Sequence, residues 1–143
     1  MAPDRVSRFV GISPVPASGV QFDGPTADLF QRAVTTAEVR RQIIDSGTSS
    51  RYHHMWLDKM VKYSLAHSTP EAFAGYLESW SGGDFHTEVV GADVPVKVIV
   101  GEYDPAVSEE TMRSTFAQCF SDCEIEVLAN AGHYAMDAAT KLI

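Results

Sequence analysis

Apolar and polar positions along the 143-residue chain follow two spacings. Three short runs have strand character. Residues 6–13 read V-S-R-F-V-G-I-S and are closed by Pro14 and Pro16. Residues 96–100 read V-K-V-I-V, opened by Pro95 and closed by Gly101. Residues 125–128 read I-E-V-L and end in Asn130-Ala131-Gly132. Gly or Pro bounds all three, and β-branched residues, which suit a pleated half-buried surface, dominate the second.

Helical spacing fills the rest. Leu29, Phe30, Ala33, Val34 and Ala37 recur along one face, with Ile43 and Ile44 further on and Gly47 as the stop. Tyr52, Trp56, Met60 and Tyr63 trace a second stripe, flanked by Leu57, Val61 and Leu65. Thr69 followed by Pro70 predicts a helix start, because the hydroxyl accepts from an orphan N–H and proline suits the first helical position. Phe73, Leu77 and Trp80 would be that helix's buried face, and Ser81-Gly82-Gly83 breaks it. Ser108 predicts another cap, with Glu109 and Glu110 where the helix dipole favours negative charge. Met112, Phe116, Cys119 and Phe120 form the apolar face of that helix.

Strands alternating with helices predict an α/β fold with a parallel sheet. Residues 22–91 are too many for one crossover helix and read as an all-helical insertion between neighbouring strands.

Composition narrows the function. Hydrophobic residues make up 45% and charged residues 21%, as in ordinary globular proteins. With 11 Lys and Arg against 19 Asp and Glu, the net charge is −8, which disfavours a nucleic-acid partner. No apolar run approaches the ~20 residues that span a bilayer, so no membrane partner is expected. Met1-Ala2-Pro3-Asp4-Arg5 does not resemble a signal peptide. Cys119 and Cys123, four apart near a helix end, are too few for a disulfide framework or a zinc site. They read as reduced thiols of a cytoplasmic protein.

Ligands of open parallel sheets bind beyond the carboxyl ends of the strands. Gly101-Glu102-Tyr103-Asp104-Pro105 follows the second strand, and Asn130-Ala131-Gly132-His133-Tyr134 follows the third. On adjacent parallel strands, Asp104 and His133 would share one end of the sheet. A carboxylate accepting from an imidazole N–H fixes the ring's tautomer and stabilises the imidazolium, as in the base half of a nucleophilic triad. Singly, Asp104 reads equally as an Asx turn and His133 as a loop residue. Glu102, nearer the strand end, is the weaker acid candidate. His53 and His54, adjacent on an expected helix, would point about 100° apart and not form a facing pair. His67 and His86 read as exposed.

V-P-V-K-V-I-V-G-E-Y-D-P-A-V, followed by I-E-V-L-A-N-A-G-H-Y, resembles the last two strands of an α/β-hydrolase. The resemblance implies that Asp104 is the triad acid and His133 the base. The opening P-D-R-V-S-R-F-V-G-I-S-P-V-P-A resembles the strand before them. It further implies three parts: a first core strand with its approach at 1–21, a helical cap at 22–91, and a core part bearing the acid and His loops at 92–143. Under such a cap, Tyr52, Trp56, Tyr63, Tyr76 and Trp80 fit either the lining of an apolar substrate pocket or a plain cap core, and Tyr134 fits either packing or substrate contact; Trp56, Trp80 and Tyr134 are the substrate-binding candidates.

The chain departs from the family in one large respect. No Gly-x-Ser-x-Gly occurs, and Gly47-Thr48-Ser49-Ser50-Arg51, the nearest imitation, lacks the second Gly and follows no strand. Ser13 ends a strand but precedes Pro14 without a Gly-flanked turn. No His-Gly-Gly segment supplies an oxyanion hole. The expectation is a partial α/β-hydrolase fold of three parallel strands, flanking helices and a cap, its nucleophile half absent. The resemblance implies hydrolysis of an ester, lactone or similar small apolar substrate, with no cofactor or metal, and leaves the nucleophile open between Ser and Asp. The alternative is an inactive domain acting through protein interaction. The first strand's outer edge, left unpaired, would drive self-association or pairing with another chain.

Overall fold

The computed structural model describes residues 5–139. Met1 to Asp4, within the opening segment considered above, and residues 140–143 lie outside the described residues. Strands β1 (Phe9–Ile12), β2 (Val96–Gly101) and β3 (Cys123–Leu128) form one sheet in the order β1-β2-β3, and both pairings are parallel. β1 is shorter than the run 6–13; Phe9 opposite Val96 is its first paired residue. β3 is longer than expected and begins at Cys123, opposite Val96. Cys123 is therefore a strand residue rather than part of the helix that ends at Cys119.

Alternation along β2 sends Val96, Val98 and Val100 into one core with Val107, Met112 and Phe116. The last two come from α6 (Glu109–Ser114) and α7 (Phe116–Cys119). Ser108 caps α6 as expected, its Oγ accepting from the Thr111 N–H at 3.2 Å. The single helix expected here is split at Thr115. Its hydroxyl donates back to the Thr111 carbonyl at 2.6 Å, and its backbone leaves the helical region at φ −121° and ψ −76°.

Five helices connect β1 to β2: α1 (Gly24–Ala33), α2 (Ala37–Gly47), α3 (His54–His67), α4 (Pro70–Gly82) and α5 (His86–Val89). Thr69 caps α4, with Pro70 in the first turn. Ile44 of α2 and Leu57 and Val61 of α3 form a second core, with Trp56, Met60 and Tyr134 packed against it. The stripe 52/56/60/63 is thus only half right. α3 starts at His54, beyond Tyr52, and its buried face is centred on Leu57 and Val61. Tyr63 is 58% exposed and stacks on His67.

A buried guanidinium ties these helices together. Arg40 of α2 donates to the carbonyls of Ala33 and Val34 at the end of α1, and to Ser64 Oγ of α3. It also lies 4.2 Å over the Phe73 ring of α4. Its acceptors are neutral, and burial lowers its pKa.

The outer side of β1 is open. Phe9, Val10 and Ile12 are 41%, 57% and 44% exposed. Ser13, next along the chain, has φ 44°, and its Oγ is buried without a hydrogen-bond partner among the described residues.

Candidate active site

β2 and β3 end side by side, Gly101 opposite Leu128, so the loops that follow them leave the same end of the sheet. Gly101 permits a close crossing. A Cβ there would overlap the backbone of Ala131 and Gly132. Tyr103 N–H donates to the Ala131 carbonyl at 2.8 Å, joining the two loops directly.

The crossing brings Asp104 to His133. Asp104 is buried, and its Oδ2 accepts from His133 Nδ1 at 2.9 Å. Its Oδ1 accepts from the backbone N–H groups of Ala106 and Val107, both at 3.0 Å. Asx turn and imidazole partner are therefore one arrangement, each oxygen serving one role. Burial pushes the Asp104 carboxyl up, but the His133 bond, the Val107 N–H, the His133 charge and the Ala106 N–H outweigh it. The net pKa lies below the ordinary carboxylate value, so Asp104 is an anion at neutral pH. With Nδ1 engaged, Nε2 is the ring nitrogen left to exchange a proton with a reactant. The His133 side chain is 38% exposed, which leaves the ring accessible.

Glu102 does not reach His133. Its Oε2 accepts from the Asn130 N–H at 2.9 Å, holding the turn where Asn130 has φ 61°.

The three aromatic candidates divide. Trp56 meets Tyr134 edge to face at 5.5 Å, and Tyr134 meets the His133 ring at 5.8 Å. Tyr52 stacks on Trp56 at 4.1 Å. Burial first, and the Asp137 charge second, raise the Tyr134 hydroxyl above its ordinary pKa. Trp80 lies in another cluster, against Phe22 at 5.2 Å and Phe30 at 5.4 Å. No ring contact joins it to Trp56 or Tyr134 among the described residues.

The segment after α2, set aside above as a nucleophile turn, joins this arrangement, a role the sequence did not indicate. His133 N–H donates to the Gly47 carbonyl at 2.9 Å. Ser49 Oγ donates to the Tyr103 carbonyl at 2.8 Å, and the Arg51 guanidinium lies 3.8 Å over the Tyr103 ring. Gly132 was the available signal: a Cβ there would stand 2.9 Å from Thr48 Cα.

The other histidines and the thiols stand apart. His53 caps α3 from outside the helix, so its ring meets that of His54 at 3.9 Å, against the expectation of diverging side chains. No group of three or more metal-ligating side chains occurs among the described residues. His86 Nδ1 lies 3.5 Å from Cys119 Sγ, and burial raises the pKa of both thiols. A groove of about 540 Å³ between α2 and α3, lined by Arg41, Asp58 and Val61 among others, includes neither Asp104 nor His133.

Comparison with solved structures identifies the architecture. A hydrolase from Oleispira antarctica superposes with a TM-score of 0.76 at 14% identity, covering 99% of this chain and 56% of that one. The enol-lactonase from Burkholderia xenovorans LB400 gives 0.73 at 22% identity, covering 99% and 56%. Carboxylesterase CesB from Bacillus subtilis gives 0.66 at 21% identity, covering 99% and 51%. The chain carries a partial α/β-hydrolase fold. It spans about half the length of these α/β-hydrolase structures. No family model and no curated protein matches the sequence. No helix among the described residues is long and apolar enough to cross a membrane.

Proposed function

We propose that this chain supplies the Asp–His half of a nucleophile–His–Asp triad in an α/β-hydrolase acting on an ester, lactone or similar small apolar substrate. The observation that carries this reading is the 2.9 Å bond between buried Asp104 and His133 at adjacent strand ends. The solved enol-lactonase and carboxylesterase of the same fold support the substrate class. Residues 1–21 and 92–143 are read as core, and 22–91 as a cap over the site.

A nucleophile from outside these 143 residues attacks the substrate carbonyl, and its proton passes to His133 Nε2. Asp104 stabilises the imidazolium, which returns the proton to the leaving group. In the second half-reaction, His133 takes a proton from the attacking water and passes it to the departing nucleophile. Tyr134, beside the ring, and Trp56, behind Tyr134, form the apolar wall of the site. Trp80, packed with Phe22 and Phe30 in a separate cluster, is proposed as a substrate-lining residue on the cap side only.

The test is reconstitution. The 143-residue chain alone should neither hydrolyse activated esters nor be labelled by a serine-directed phosphonate. A complete protein, carrying the rest of the fold, should hydrolyse them, and should be labelled as well where the nucleophile is Ser. Stoichiometric labelling of Ser13 or Ser49 in the chain alone would contradict the proposal.

A second reading follows from the open edge of β1. Its unpaired apolar strand suits pairing with another polypeptide, so the chain would act as an interaction domain without catalysis. Hydrolysis of activated esters by the complete protein separates the two.

A further inference from the structure

We propose that residues 47–51, the loop that ends α2, are a positioning element for the Asp104–His133 couple, with Ser49 and Arg51 acting through the Asp104 loop. The proposal rests on the reading of that couple as the base half of a triad.

The loop touches both partners' supports at once. The Gly47 carbonyl accepts from the His133 N–H, which fixes the backbone that carries the ring. Ser49 Oγ holds the carbonyl of Tyr103, the residue immediately before Asp104, and Arg51 stacks on the Tyr103 ring. Gly132 admits the backbone of Thr48 against the His loop. A shift of the loop would therefore move the acid and the base relative to each other.

The loop's own shape is imposed. Ser49 and Ser50 have φ 52° and φ 54°, a left-handed pair that costs free energy outside glycine and persists only where the surroundings hold it. Asp45, in the last turn of α2, does the holding. Its carbonyl accepts from the N–H groups of Thr48 and Ser50 and from Thr48 Oγ1. Its Oδ2 accepts from Ser50 Oγ at 3.1 Å. The two serines thus divide their work: Ser50 ties the loop to its own helix, and Ser49 ties it to the Asp104 loop.

The measurement is the tautomer of His133, read from long-range proton–nitrogen spectra of its ring in the complete protein, carrying the rest of the fold, at a pH where the ring is neutral. In the wild type the ring carries its proton on Nδ1, facing Asp104, and Asp104→Asn abolishes that preference. Ser49→Ala and Arg51→Ala should each lower the ratio of the Nδ1–H to the Nε2–H form by about fivefold, the equilibrium worth of one net hydrogen bond for Ser49 and of one cation–π contact for Arg51. Ser50→Ala should leave it unchanged. Ser49→Gly deletes the same hydroxyl while relieving the left-handed strain, so its ratio should fall as in Ser49→Ala even though the fold is eased. A ratio untouched by the Ser49 and Arg51 changes, with Asp104→Asn still effective, overturns the positioning role and leaves the couple standing. A wild-type ring indifferent to Asp104→Asn overturns the couple, and the positioning role with it.

Discussion

β1 and β3 flank the same central strand, yet their surfaces differ in kind. β3 carries Glu124 and Glu126, which clasp Lys97 of β2 at 3.0 and 2.7 Å. Charges along an outer strand discourage pairing with a further strand. β1 instead exposes Phe9, Val10 and Ile12 and leaves the Ser13 hydroxyl buried without a partner among the described residues. Isolated surface charge pairs contribute little stability, so the acids of β3 matter more for what they repel. β3 has the character of a sheet edge, and β1 that of an interior strand. Asp104 and His133 stand on the charged side, beyond β2 and β3, where the hydrogen bonds of the acid are complete.

The largest test breaks the finished side. If the proposed function holds, in the complete protein His133→Ala should cost several orders of magnitude in kcat/KM, and Asp104→Asn about 10⁴-fold through the wrong tautomer. An Asp104→Asn variant within tenfold of wild type would remove the acid assignment.

The next breaks the unfinished side. The 143-residue chain should associate at micromolar concentration, seen by light scattering. Val10→Lys with Ile12→Lys should return it toward monomer by putting charge on the open strand. A wild-type chain that melts cooperatively as a monomer would mean that β1 tolerates exposure.

Acid separates the two sides more gently. The folded pKa of Asp104 lies below its unfolded value. Its stabilising contribution is therefore present above the unfolded value of about 4 and is lost as pH falls through the folded one. Urea melts of wild type and Asp104→Asn should accordingly converge as pH drops below about 4, and run parallel across that range if Asp104 contributes nothing.

The smallest effect belongs to Glu102→Gln. The amide oxygen can still accept from the Asn130 N–H, so kcat/KM should fall less than tenfold, against about 10⁴-fold for the Asp104 change. The reverse ranking would transfer the acid role to Glu102.

Much of this was legible in the sequence because it rests on local signals. Gly and Pro punctuation located all three strands, and the Thr69 and Ser108 caps located two helix starts. Position after a strand singled out Asp104 and His133. What escaped depends on distant partners. The face of α3 was misplaced because burial follows contact with Ile44, which periodicity alone does not reveal. Thr115 splits its helix through a side-chain bond that competes with an apolar pattern still intact on both sides. Ser49 and Arg51 sit in a polar, Gly-led segment that resembles any turn until Tyr103 is brought against it from 54 residues away.

Arg40 gives the helical layer an unusual mechanical character. Its acceptors are neutral carbonyls, a hydroxyl and a ring, so added salt has no ion pair there to screen. It acts as a fulcrum near one end of α2, while Gly47 stands at the other end, about 10 Å away at the helical rise. A tilt of about 5° around that fulcrum would carry the Gly47 carbonyl roughly 1 Å. An error of that size in a reacting group's position can slow an enzyme about 10²-fold. Because that carbonyl accepts from the His133 N–H, such a tilt of α2 would end on the backbone that carries the imidazole.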